Sequence, residues 1–328
     1  MSLEPDRRAC NGANTEGPFG QGRPKKASAV LGVGIATLDV INSVTRYPDE
    51  DDEVRACSQR IVRGGNCANT LSVLSALGHR CSWAGTLADD VGADLIRSDL
   101  IARGIDIDNA RTIAGGATPT SYITLSRATG SRTIVHHRDL PELRAADLED
   151  IDFSAFDWCH LEGRNPPETA ALIARLGSQH PGVAISVEIE KHRPGIDRLF
   201  TLPADRLSVI LVSRAFAAHQ GAEEPRRFLK SFSQRCRTSL VILAWGADGA
   251  YGMGLDGKVQ FAPAYAPERV VDTIAAGDVF NAAAIHALLN GSPLERVLTY
   301  ANRLAGHSCG REGIDDTLAS LYPASATD

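Results

Sequence analysis

From residue 28 onward the chain alternates short, uniformly apolar runs with longer segments whose apolar positions recur every three or four residues. "SAVLGVGIA" (28–36) is followed by "NTLSVLSALG" (69–78) and "DVGADLIRSDLIARG" (90–104). In the second half, "VAISVEIE", "LSVILVSR" and "SLVILAWG" alternate with "PETAALIARLGSQ" and "EPRRFLKSFSQRC". Strands that are apolar on both faces and separated by helices belong to a sheet covered on both sides. The pattern therefore predicts a doubly wound α/β core with a mostly parallel central sheet flanked by helices. Ligands of such sheets collect beyond the carboxyl ends of the strands.

Two stretches break the alternation. "DVINSVTRYPDEDDEVRACSQRIVRGG" (39–65) has no helical period, and its second part reads as an extended strand. "TPTSYITLSRATGSRTIVHHR" (118–138) reads as a hairpin turning at Ala128–Ser131. Both are rich in β-formers and only partly apolar, which predicts a small projecting β-sheet lid from about 40–63 and 118–138. Residues 1–28 lack periodicity and are expected to be a disordered extension. The rest is expected to be one domain over 29–318 with a short tail, 319–328.

Composition narrows the partners. The 328 residues carry a formal net charge of −6, which gives no general attraction to nucleic acid or to an acidic membrane and leaves a small molecule as the expected partner. Seven cysteines (Cys10, Cys57, Cys67, Cys81, Cys159, Cys236, Cys309) are scattered with no Cys-x-x-Cys pair, so neither a disulfide framework nor a zinc site is indicated. Reduced thiols, with no secretory or membrane-spanning run, make the cytoplasm the expected location.

The candidate chemistry lies at the strand ends. In "VDTIAAGDVFNAAAIHALLNGS" (271–292), Asp278 follows Ala275, Ala276 and Gly277 where a strand-like run meets a helix. Asp278 reads first as an ordinary N-cap. The same geometry would also face free amides and the positive end of the helix dipole toward an anion, with a carboxylate placed to take a hydroxyl proton. In "RGGNCANTLSVLSALG", Gly64 and Gly65 allow a tight turn, while Asn66 and Asn69 present amides at a helix start, suited to sugar hydroxyls. Asp39, after the first apolar run, adds an acceptor for hydroxyl protons. Each of these is also a common turn or cap residue. Gly246 and Gly249 in "AWGADGAYG" sit on a loop after a strand, where a nucleotide or a plain turn are both possible. The last helix, with Ser292 and Pro293 at its start and Gly310 at its end, carries Ala301, Ala305, Gly306 and Cys309 on a face that would admit a flat ring or pack closely on a neighbour. "LGVGIATLD" fails as a dinucleotide fingerprint because Thr37 occupies its sixth position and no helix follows; a P-loop string is absent.

With "RIVRGGNCAN", "GSRTIVHH", "HLEGRN", "SVEIEK", "AWGADGA", "RVVDTIAAGDVFNA" and "AGHSCG" assembled in this order, the chain resembles the ribokinase-like PfkB carbohydrate kinases, and among them the fructose-phosphorylating members. The resemblance implies a ribokinase-like fold and transfer of a phosphoryl group from ATP to the C1 hydroxyl of fructose. It implies Asp278 as general base, the amides of Ala276, Gly277 and Asp278 as an anion hole, and Arg132 as a phosphate-facing arginine. It places Asp39, Gly65, Asn66 and Asn69 on the sugar, and Gly246, Gly249, Ala276, Gly277, Ala305, Gly306 and Cys309 on the nucleotide. Mg2+ held by ATP and water, a monovalent cation such as K+, and a homodimer through the lid are further implications.

The sequence departs from that pattern at several positions. Ala275 stands where the family usually has Gly, a change expected to be tolerated because backbone amides face the anion. Cys67 replaces a smaller residue and is expected to narrow the sugar pocket. Arg214, Ala215 and Ala247 replace polar or acidic residues near the nucleotide, which bears on donor affinity. Glu162, Arg164 and Glu190 are open to functional and structural readings alike. A kinase for ribose, 2-keto-3-deoxygluconate or adenosine, and a non-catalytic sugar-binding regulator, stay as alternatives.

Overall fold

The computed structural model describes residues 27–321 except Gly130, Thr201, Ala204, Asp205 and 237–239. The expected N-terminal extension lies almost wholly outside the described residues, as do 322–328 and Gly130 of the expected hairpin turn.

The central sheet has nine strands, in the order β15 (Val259–Ala262), β14 (Ala250–Gly254), β13 (Leu240–Ala244), β12 (Val209–Ser213), β11 (Ala184–Ile189), β10 (Trp158–Glu162), β1 (Ala29–Val33), β4 (Arg80–Ala84) and β6 (Ile105–Asp106). Every pairing from β13 to β6 is parallel, and only the β14 and β15 edge is antiparallel. One apolar cluster covers one face, built with α1 (Asn66–Ala76), α2 (Val91–Ala102), α6 (Ala276–Leu289), α7 (Leu294–Cys309) and α8 (Gly313–Leu321). A second cluster covers the other face with α3 (Pro166–Gln179), α4 (Arg214–His219) and α5 (Pro225–Arg235). Burial on both faces explains why the strands read as continuous apolar runs. Helix α8 extends three residues past the expected domain end at 318. Among the described residues no helix is long and apolar enough to cross a membrane, and the six described cysteines are all unpaired.

The two stretches that broke the helical alternation form a four-stranded sheet of their own, in the order β3 (Ser58–Gly64), β2 (Thr37–Val44), β8 (Thr120–Ser126) and β9 (Arg132–His137). A short pair, β5 (Thr86–Leu87) with β7 (Arg111–Thr112), stands apart. Strand alternation gives this second sheet two unlike faces. The register puts Asp39, Ser121 and His136 in one row and Ile61, Val40, Tyr122 and Val135 in the next, so the two rows face opposite ways.

Helix ends follow their local chemistry. Glu224 accepts from the amides of Arg226 (2.9 Å) and Arg227 (2.6 Å) at the start of α5, and α7 runs from Pro293 to Gly310 as its sequence signals predict. Helix α6 departs from expectation. It is buried almost all round, its Ala282, Ala283, Ala284 and Ala287 leaving room for α1 and α7 to approach closely. Its N-cap is Ala275, and no side chain caps it. Asp278 is the third helical residue, not the cap.

Ala275 has φ 61° and ψ 5°, in the left-handed region where an L side chain is strained and glycine is not. The expectation that alanine is harmless here because only amides matter is therefore corrected: the backbone conformation itself favours glycine. Ala275→Gly is expected to raise stability by about 1 kcal/mol, after subtracting glycine's greater freedom in the unfolded chain, and chemical denaturation of the two proteins side by side measures it.

Candidate active site

Between the second sheet and the carboxyl ends of the central strands lies a cleft of about 480 Å³. It brings together Asp39 from β2, Gly65, Asn66 and Asn69 from the start of α1, Arg132 from β9, and Ala276, Gly277 and Asp278 from the start of α6. Eight residues singled out in the sequence thus meet, although they span 240 positions of chain.

The turn from β3 into α1 is shaped by glycines. A Cβ on Gly64 would lie 2.2 Å from the Asp39 carboxylate, and one on Gly65, at φ 104°, would lie 2.3 Å from the carbonyl oxygen of Ile35. Their absent side chains let Asp39 and the β1–β2 turn close against the helix start. Asp39 accepts a hydrogen bond from Thr37 Oγ1 (2.9 Å), and burial raises its pKa against the lowering effect of Thr37, Ser121 and Arg63.

Across the cleft, Asp278 is 6% exposed, and burial pushes its carboxyl well above the ordinary carboxylate range. The neighbouring Glu162 and Glu190 push the same way, while a hydrogen bond from Asn69 Nδ2 to Oδ2 (2.8 Å) and the charge of Arg63 pull it down. Asn69 is not free to face outward, as its position at a helix start suggests. Its oxygen accepts from Arg63 Nη1 at 2.7 Å, so both ends of the amide are engaged within the protein. Asn66 likewise turns its Nδ2 toward Glu188 (3.3 Å), leaving its oxygen as the end able to meet a ligand hydroxyl.

Glu188 is the site residue that sequence reasoning missed. It lines the cleft from β11, takes Asn281 Nδ2 at 2.9 Å, and is pushed well above the usual range by burial and then by the charge of Asp278. In the sequence it is one acid in a strand that alternates with nothing telling; only its partners mark it. Glu162 turns out to be architectural: its two oxygens accept from Ile35 N (3.1 Å) and Cys67 N (2.7 Å), pinning the β1–β2 turn to the first turn of α1. Cys67 does not narrow the pocket. It is fully buried and packs on β1, where a Cβ on Gly32 would meet its Sγ at 2.5 Å.

The first turn of α6 has no side-chain cap; the Ala276 amide donates weakly to the Thr273 carbonyl (3.4 Å), and Ala276, Gly277 and Asp278 line the cleft at the positive end of a buried helix. Arg132 Nη1 donates to Thr273 Oγ1 (2.7 Å), holding an exposed guanidinium beside these amides. Arg164, Lys191 and Arg193 add positive charge along the wall. The arrangement can bind an oxyanion, hold polyhydroxylated carbon opposite it, and remove a proton between the two.

The remaining predicted residues do not line this cleft. Gly246 is exposed at φ 68° in the β13–β14 turn, with open space around it, and Gly249 closes that turn by donating to the Gly246 carbonyl (3.1 Å). Ala305, Gly306 and Cys309 are half-buried on α7. A Cβ on Gly306 would fall 2.0 Å from the carbonyl oxygen of Tyr265, so this glycine lets α7 pack closely on the chain at residue 265. Cys309 contributes its carbonyl, which accepts from Val271 N (2.8 Å) on the way into the loop before α6. Arg214 pairs with Asp248 (3.3 Å) and lies over the Trp245 ring (5.2 Å), so it is anchored to the turn that holds Gly246 and Ala247, while Ala215 follows it in α4. Among the described residues no three His, Cys, Asp or Glu side chains converge to cage a metal ion.

Known proteins share both the sequence and the fold. The chain is 37% identical over 294 residues to the ketohexokinase of Mus musculus, covering 87% of this chain and 97% of that one. It is 29% identical over 287 residues to an ATP-dependent ribose-1-phosphate kinase of Halopiger xanaduensis, covering 87% and 93%. The ribokinase of Arabidopsis thaliana, solved with ribose and ATP, superposes with a TM-score of 0.73 at 20% identity, covering 90% of this chain and 99% of that one. Residues 28–320 match the profile described as pfkB family carbohydrate kinase. With a ribokinase-like fold and that match over nearly the whole described chain, the protein belongs to the pfkB family of carbohydrate kinases, phosphotransferases that act on sugar hydroxyl groups.

Proposed function

We propose that this carbohydrate kinase transfers the γ-phosphoryl group of ATP to the C1 hydroxyl of fructose. The observation that carries the chemistry is the placement of Asp278, a buried carboxylate in the first turn of a helix that no side chain caps and whose first residues line the same cleft. The similarity to mouse ketohexokinase supports the ketose.

In this reading Asp39 and the oxygen of Asn66 accept hydroxyl protons of the sugar, and Gly65 lets it approach the backbone. Asp278 Oδ2 is held by Asn69, so Oδ1 takes the proton of the attacking hydroxyl. The sugar oxygen bonds to the γ-phosphorus as the bond to the bridging oxygen breaks and ADP leaves. The amides of Ala276, Gly277 and Asp278, with Arg132, stabilise the charge on the transferred group. A raised pKa suits the base, since a carboxylate that is unfavourable in its charged form accepts a proton readily.

Gly246, Gly249, Ala305, Gly306 and Cys309 then frame the nucleotide from the turn and helix behind the loop. Gly306 acts there by letting α7 close on residue 265. Mg2+ would be carried by ATP oxygens and water, with Glu190 a carboxylate lining the cleft for its water shell, since among the described residues no three His, Cys, Asp or Glu side chains converge on it. Asp272, the buried carboxylate beside the loop, is bridged by Arg60 (3.1 Å) and the amide of Ile274 (2.8 Å), and K+ is proposed as an activator. The second sheet serves as the lid, over about 40–63 and 118–138 of one domain spanning 29–318. Its exposed row of Ile61, Tyr122 and Val135 supports a homodimer formed through it, in the cytoplasm. The cations Arg164, Lys191 and Arg193 suit the triphosphate, and they also favour a second reading in which the sugar itself is acidic or phosphorylated.

ADP release with Mg-ATP against fructose, tagatose, ribose, ribose 1-phosphate, 2-keto-3-deoxygluconate and adenosine decides between these substrates. Turnover with fructose and phosphate on C1 is expected; turnover only with an anionic sugar moves the protein to the second reading. Asp278→Asn is expected to lower kcat by at least about 100-fold with sugar binding nearly intact. Arg132→Ala should raise KM for ATP more than KM for the sugar, and the reverse split would remove Arg132 from the phosphate. Because the folded-state pKa of Asp278 is raised, its charged form is lost as pH falls through a value above the ordinary carboxylate range, so the acid limb of kcat should lie above that range and vanish in Asp278→Asn.

A further inference from the structure

Arg63 is the most deeply buried cation described, with its side chain 1% exposed, and the phosphoryl-transfer chemistry gives it no direct task. Its guanidinium is fully directed. Nε pairs with Asp99 on α2, Nη1 donates to Asn69 Oδ1 (2.7 Å) and Nη2 to Ser72 Oγ (2.9 Å). Asn69 Nδ2 then donates to Asp278 Oδ2 (2.8 Å). The chain of contacts runs from a half-buried carboxylate on α2, through an arginine and an amide, to the group in the first turn of α6.

We infer that Arg63 is a positioning residue for the base, acting through Asn69 to fix which oxygen of Asp278 faces the cleft and how readily it ionises. The inference rests on the reading of Asp278 as general base. A guanidinium only donates, so Asn69 must turn its oxygen toward Arg63 and its amide protons toward Asp278. Without Arg63 the amide is free to flip and set its oxygen against the carboxylate. Arginine is needed because three acceptors in different directions are served by its rigid fork, whereas a lysine ammonium carries its charge at one point.

Other charges bear on Asp278 as well. Glu162 on β10 and Glu190 just beyond β11 raise its proton affinity, the charge of Asp278 in turn raises that of Glu188 on β11, and Cys67 on α1 lies near in its neutral form. Asp39 on β2, Arg132 and His136 on β9, and Arg164, Lys191 and Arg193 face it across the cleft. Arg63 differs from the other cations in reaching Asp278 from behind, away from sugar and nucleotide, through a single amide. Its charge lowers the pKa of Asp278, so weakening it should move the acid limb of kcat upward.

The test is kcat against pH for the wild type, Arg63→Lys, Asn69→Ala, the double variant, Asp99→Asn and Asp278→Asn, with folding checked by thermal melting. Arg63→Lys and Asn69→Ala are each expected to move the acid limb up by about half to one pH unit, with the loss of kcat concentrated at low pH. The double variant should be no worse than Asn69→Ala alone, because the two residues act in series. Asp99→Asn removes the countercharge of Arg63 and should move the limb the opposite way; it also carries the test should Arg63→Lys fail to fold. An unmoved limb in Arg63→Lys or, failing that, in Asp99→Asn overturns the inference, as does a double variant whose losses multiply. If Asp278→Asn keeps turnover, the base assignment itself fails; if it is inactive while the limb is unmoved, only the link through Arg63 fails.

Discussion

Three carboxylates, Glu162, Glu188 and Asp278, are buried together at the carboxyl ends of the central strands, and much of the surrounding structure follows from the need to keep them satisfied. A buried charge left without partners costs several kcal/mol, so each must find donors or stay protonated. Glu162 takes two backbone amides, one from the β1–β2 turn and one from the first turn of α1. Glu188 takes the side-chain amides of Asn66 and Asn281, and Asp278 takes that of Asn69. The donors come from the β1–β2 turn, α1 and α6, the acceptors from β10, β11 and α6, so these contacts knit together elements up to 209 residues apart. The cleft lies beside this knitted centre, lined by the first turn of α6, which no side chain caps.

The second sheet is joined to this centre by its arginines. Arg60 on β3 reaches Asp272, and Arg132 on β9 reaches Thr273, the two residues that lead into the loop before α6. Arg60 is further tied to Glu312 (3.2 Å) just before α8. A displacement of the sheet that carries Asp39 therefore pulls on the loop that leads into α6, so the two walls of the cleft are mechanically linked.

The alternation of apolar runs and helical periods made the doubly wound sheet legible, and the breaks in that alternation marked the second sheet, because burial on one or both faces imprints a period on the chain. The run around Asp278 was legible for a different reason: small residues ahead of a carboxylate at a strand-to-helix junction restrict what the backbone can do there. What could not be read was the direction in which side chains point. Asn66 and Asn69 look like outward-facing turn residues until Glu188 and Arg63 are placed beside them. Cys67 reads as a pocket residue, yet helix phase carries it onto β1. Gly306 reads as a small residue on a helix face, and only the chain at Tyr265 shows how closely another backbone approaches it. In each case the deciding neighbour lies far along the sequence, and no local pattern announces it. Ala275 is the converse: its identity was plain, and only the backbone angle revealed that it is strained.

The choice of asparagine at position 69 shows how narrow the constraint becomes once these neighbours are in place. The residue must accept from a guanidinium on one side and donate to a carboxylate on the other, within a turn of helix and without a charge of its own. Aspartate would satisfy Arg63 but repel Asp278, and a cation would do the reverse. Serine carries one short hydroxyl and cannot span both partners, while glutamine adds a methylene and a further rotatable bond, so its amide would be less firmly placed between them. An amide on a single-carbon stem is what remains. Its orientation is decided by Arg63, which cannot accept, so the polarity imposed at one end of the contact chain is passed on unchanged to Asp278 at the other.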